Sequence, residues 1–163
     1  MLICDDGPGE VADFLHISED STLSLIHVKS ADSAAPSRRV AVRPFEVVAG
    51  QAVKNSRLLI EPDQLKEFID MPHGFDRAAW TDGKRVPDRS EFLTRLGDLP
   101  PDKKQVVIVQ PHISEATYRR IRQGGHASPQ EEFRLRMLET LLHSARAAIV
   151  ALGAELYVIG SKS

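Results

Sequence analysis

A single cysteine, Cys4, occurs in the 163 residues, which excludes an internal disulfide framework and a cysteine-built zinc site. No apolar run approaches the ~18 residues needed to cross a bilayer. The opening Met1-Leu2-Ile3-Cys4-Asp5-Asp6 has no basic region followed by an apolar stretch, so no signal peptide is expected. An excess of either charge is also missing, with 21 Lys and Arg against 23 Asp and Glu. Bulk positive charge therefore cannot carry nucleic-acid binding, and any such contact must come from a local patch. His73, His112, His126 and His143 show no zinc-site spacing. What is present, 42% apolar and 27% charged residues, is the composition of one ordinary globular domain, expected in the cytoplasm and away from membranes.

Hydropathy patterning orders the chain as β-β-β-α, then an irregular middle, then β-α-β. Leu2 to Asp5 reads as a short strand running into the turn Asp6-Gly7-Pro8-Gly9. Glu10 to Ile17 alternates, with Val11, Asp13, Leu15 and Ile17 pointing one way and Glu10, Ala12, Phe14 and His16 the other. Both faces hold apolar residues, as in a central strand. Thr22 to Lys29 is a third strand, and Ser30 to Arg39 a loop ending in two arginines. Pro44 opens a helix with Phe45, Val48, Ala52, Asn55 and Leu59 on one side, stopping near Pro62. A second short helix is expected over Asp63 to Ile69. Met71 to Arg89 shows no clear pattern. Gln105 to Gln110 reads as a buried strand closed by Pro111. Ser128-Pro129-Gln130-Glu131 is a capping box for a long helix that ends at Gly153, and Glu155 to Ile159 is a last strand.

The chemistry centres on the second and third strands. His27 and Lys29 are two apart and share a face, and a hairpin about Ser18 to Ser21 sets Asp13 opposite Leu25 or His27. A carboxylate, an imidazole and an ammonium group then share one patch. Such a set suits metal-assisted hydrolysis of a phosphodiester, with Asp13 as the hard oxygen ligand of Mg²⁺ and Lys29 as the cation beside the developing charge. The alternative is a structural Asp13–Lys29 ion pair within the sheet. Glu10 is expected to face away from Asp13, and Asp5 and Asp6 to be turn residues. Arg119, Arg120 and Arg122 read as a solvated helix surface.

Asp13, the strand ending His27-Val28-Lys29, and a helix containing Gln51-Ala52-Val53-Lys54-Asn55 together resemble the PD-(D/E)XK, or restriction-endonuclease-like, superfamily. The segments Asp5 to Asp13, Leu25 to Lys29 and Gly50 to Asn55 are more narrowly similar to a nuclease-like domain attached to bacterial superfamily-2 helicases. The resemblance implies a mixed central sheet flanked by helices and a metal-dependent nuclease acting on DNA, helicase-associated or in phage defence. It implies Asp13, His27, Lys29 and Gln51 as catalytic residues. Asp13 and His27 would hold Mg²⁺ or Mn²⁺, with His27 standing where the superfamily has an acidic residue and favouring Mn²⁺. Arg38, Arg39, Lys54 and Arg57 form the expected DNA-binding edge. The superfamily's leading helix is not seen, so the domain is expected either as part of a larger protein or without that element. His27 also leaves a second reading, an inactive nuclease-fold module that binds nucleic acid or a protein partner.

Overall fold

The computed structural model describes residues 1–7, 9–30, 39–70, 78–99, 103–124 and 127–162. Its fold is mixed α/β, with one seven-stranded sheet. Strands β1 (Leu2–Cys4), β2 (Phe14–Ile17) and β3 (Leu23–Val28) form an antiparallel meander. Helices α1 (Arg43–Ser56), α2 (Pro62–Asp70) and α3 (Ser90–Gly97), with the short strands β4 (Ala79–Thr81) and β5 (Lys84–Val86), lead to β6 (Lys104–Ser114). Helices α4 (Glu115–Arg122) and α5 (Pro129–Ala151) precede β7 (Glu155–Ser161). The strand order is β5-β4-β1-β2-β3-β6-β7, with β6 parallel to β3 and β7 parallel to β6. The antiparallel meander and the parallel part of the sheet thus meet at β3. Among the described residues no helix is long and apolar enough to cross a membrane.

Register explains why one face is covered. Ile3, Leu15, Leu25, Val106 and Leu156 lie opposite one another across five strands, and side chains directly opposite share a face. Val48, Ala49 and Ala52 of α1 and Ala145 and Ile149 of α5 join this row in one core cluster. The small residues let both helices approach the sheet closely. The capping box at Ser128 forms as the sequence indicates: Ser128 Oγ accepts from Glu131 N at 3.2 Å, and the Glu131 carboxylate accepts from Ser128 N at 3.0 Å. Gly153 sits at φ +76°, a conformation glycine adopts without steric cost, and ends α5.

Several elements differ from the sequence reading. The strand expected over Glu10 to Ile17 begins only at Phe14, and the described residues of loop 5–13, which are 5–7 and 9–13, belong to no strand. Gly9, at φ +85°, permits a path that a strand cannot take. Pro111 does not close β6, which continues to Ser114 with an irregular register to β7 after Val109, as expected of a strand that accepts proline. The middle region contains the β4–β5 hairpin, turned by Asp82-Gly83 at positive φ, and α3. These strands are three residues each, too short for period-two alternation to register.

One buried ion pair ties this middle region to the start of the chain. Arg89 Nη1 donates to Asp5 Oδ1 at 3.1 Å and to Ile69 O at 3.1 Å, and Nη2 donates to Cys4 O. The two side chains are 7% and 1% exposed. Removing one member of a buried pair strands the other's charge and costs about 3–5 kcal/mol. Arg89→Met should therefore lower unfolding free energy by about that amount in urea titration, whereas Ser128→Ala should cost only about 1 kcal/mol. A loss for Arg89→Met no larger than for Ser128→Ala would show that the pair is not a structural anchor.

Candidate functional site

The end of the β2–β3 hairpin carries the candidate site. Phe14 pairs with Ile26, so the next position, Asp13, falls beside His27, one of the two partners expected. Asp13 Oδ2 accepts the Val28 backbone N–H at 2.7 Å, which pins the carboxylate to the last residue of β3. Lys29 follows immediately, its N–H bonded to Val109 O at 3.0 Å. Burial raises the Asp13 carboxyl pKa, and the Lys29 charge offsets that rise only in small part, with no direct ion pair joining the two among the described residues. The Lys29 side chain is exposed, so the ammonium group is solvated and escapes the desolvation penalty of a buried cation.

His27 shares the face of Leu23 and Leu25 and is only 1% exposed. Burial drives its pKa down to about 4, so the ring is neutral at physiological pH, and Nε2 is buried without a hydrogen-bond partner among the described residues. It is not among the grouped carboxylates described next.

Loop 5–13 brings together what a regular strand would have separated. One carboxylate oxygen each from Asp6, Glu10 and Asp13 lies within 4.8 Å of the others. Glu10 therefore joins Asp13 rather than facing away, and Asp6 lies beside both. Glu10 Oε2 accepts Gly7 N at 2.9 Å, and Asp5 N donates to Asp13 O at 2.9 Å. Desolvation raises the Glu10 and Asp13 carboxyls above their ordinary range, with the neighbouring acidic groups adding to both shifts. The signal for this cluster was present as acidic residues at 6, 10 and 13 around Gly7-Pro8-Gly9.

The helix residues divide. Gln51 is exposed on α1 and makes no side-chain hydrogen bond among the described residues. Asn55, one turn later on the same side, is buried and reaches the acidic loop. The sequence shows Asn55 only as a position on the apolar side of the helix. Arg39, Lys54 and Arg57 are exposed and form no ion pair among the described residues, and Arg38 lies outside those residues. By contrast Arg119, Arg120 and Arg122 pair with Glu115, Glu131 and Glu139. Gln110, fully buried on β6, continues the β3–β6 register beside Lys29 and was not singled out from the sequence.

Comparison of the chain with protein-family models, with curated proteins and with solved structures finds no match.

The lowered pKa of His27 makes stability depend on pH. The unfolded ring takes up a proton near pH ~6.5 and the folded one only near 4, so stability is full above ~6.5 and falls as pH drops between these values. The raised Glu10 and Asp13 carboxyls act with the opposite sign, favouring the fold at low pH and losing that contribution as pH rises through their folded values. Comparing His27→Leu with the parent cancels them. Between about pH 7 and about pH 5 the parent should lose about 2 kcal/mol more than the variant in urea titration. Equal losses would mean that the ring is not held neutral by burial.

Proposed function

We propose that the chain is a metal-dependent nuclease domain that hydrolyses phosphodiester bonds, with DNA as substrate. The observation that carries this reading is the placement of Asp13. It lies at the mouth of the β2–β3 hairpin, bonded to Val28, with Asp6 and Glu10 around it and Lys29 next in line. An antiparallel meander followed by a helical crossover to a parallel strand, as in β1-β2-β3-α1 to β6, accords with the restriction-endonuclease-like arrangement.

The donor set fits a hard divalent cation, since three carboxylate oxygens converge and no cationic side chain neutralises them by an ion pair among the described residues. Asp6, Glu10 and Asp13 would hold Mg²⁺ or Mn²⁺, in place of the Asp13–His27 pair. When bound, the ion supplies Lewis acidity toward the phosphate and acidifies a ligated water. The exposed Lys29 offers a cation to the charge that develops on the phosphate. Arg39, Lys54 and Arg57, uncommitted to carboxylates among the described residues, supply phosphate contacts along the edge that leads to the site. A helicase or other domain of a larger protein, or a role in phage defence, is what the family resemblance adds.

A second reading, an inactive module of the same fold, is favoured by one observation. His27 occupies the superfamily's second acidic position, and as a buried neutral ring it contributes no negative charge. Cleavage decides between the two. Asp13→Asn keeps an acceptor for Val28 N–H while removing the charge, and Lys29→Ala removes an exposed group. Each should stay folded and lose at least about 10²-fold in Mg²⁺- or Mn²⁺-dependent cleavage of linear, circular and single-stranded DNA. Parent protein that cleaves none of these with either ion would support the inactive module.

The edge is tested separately by salt. Each phosphate contact contributes about −0.9 to the slope of log K against log salt on duplex DNA. Neutralising Lys54 and Arg57 together should weaken binding to every sequence and flatten that slope by about one to two. Lys84 and Arg85 on β5 are the control pair, and a larger effect from them would place the substrate track elsewhere.

A further inference from the structure

We propose that Asn55 is the positioning residue of the acidic loop, a buried amide on α1 that holds the backbone between Asp6 and Asp13 so that their carboxylates stay converged. The inference rests on the metal-centre reading above and deepens it. Asn55 Nδ2 donates to Val11 O at 2.7 Å and to Glu10 O at 3.3 Å. A side-chain amide has two N–H donors, and here both go to adjacent carbonyls of a segment that belongs to no strand. One of those carbonyls is that of Glu10 itself and the other that of the next residue, so their placement sets where Glu10 projects and how close it comes to Asp13.

The same stretch is held from its other side, since Asp5 Oδ2 accepts Val11 N at 3.1 Å. The helix and the β1 end thus grip one residue of the loop, Val11, itself 1% exposed. Without the amide, mutual repulsion among Asp6, Glu10 and Asp13 would spread the loop, and an ion would have to gather its ligands again on binding. Outer partners that orient ligands are typically worth about 10–100-fold in metal affinity. Asn55 touches no proposed ligand atom and acts only through the main chain.

Ser56 is the control. It is as deeply buried, but its hydroxyl donates to Val53 O at 2.8 Å, within its own helix. Mn²⁺ alone is the probe, with free ion followed by electron paramagnetic resonance and folding by circular dichroism. Asn55→Asp, the same shape without donors, should raise the Mn²⁺ Kd about 10–100-fold, while Ser56→Ala leaves it unchanged. Asn55→Ser, with one short donor, gives a milder variant should the aspartate disturb folding, and an intermediate rise is expected. Folded Asn55→Asp or Asn55→Ser protein that binds Mn²⁺ as tightly as the parent would overturn the positioning role alone. An equal weakening by Ser56→Ala would do the same, by showing a general loss of rigidity. Parent protein that binds no Mn²⁺ would overturn the metal-centre reading and this inference with it.

Discussion

Crowding of like charge is the constraint that the acidic loop has to meet. Oxygens of Asp6, Glu10 and Asp13 within 4.8 Å of one another repel whenever more than one is ionised. Each such pair costs about 1 kcal/mol in water and up to about 4 kcal/mol at the effective dielectric of a protein surface. The loop keeps this arrangement through bonds to groups of other elements. Arg89 fixes Asp5, Asp5 and Asn55 fix the Val11 backbone, and Val28 fixes Asp13. The upward carboxyl shifts at Glu10 and Asp13 express the same strain, since protonation relieves both desolvation and repulsion.

The anchors come from distant parts of the chain. Arg89 arrives from the segment before α3 and Asn55 from α1, 84 and 44 residues from their respective partners. Loop geometry therefore depends on the packing of α1 on the sheet and on the hairpin that leads to α3. The overall stability of the core and the precision of the site are linked through these contacts, which is how a loop acquires the rigidity usually provided by a strand.

Much of the architecture was legible in the sequence because it is written in local patterns. The first and third strands, the Pro44 helix, the capping box at Ser128 and the last strand follow from alternation, helical spacing and cap chemistry, and each forms close to its expected place. Loop 5–13 was not legible, because Val11, Asp13, Leu15 and Ile17 alternate as in a strand although pairing begins only at Phe14. Alternation records burial, and Val11 is buried by a loop. The error assigned Glu10 to the side away from Asp13. The different burial of His27 and Lys29 was not legible either: both face the same way, but β3 ends between them, so one is covered and the other stands in solvent. Asn55 and Arg89 were invisible in their roles, since what they bind lies far along the chain.

A Mn²⁺ titration of ¹⁵N-labelled protein followed by paramagnetic broadening of the amide signals tests the proposed metal centre most directly. Broadening should appear first at Asp6, Glu10, Asp13 and Val28, spread next to Asn55, and leave the exposed end of α5 sharp. Broadening centred on another part of the molecule, or none at saturating ion, would contradict a metal site built on loop 5–13.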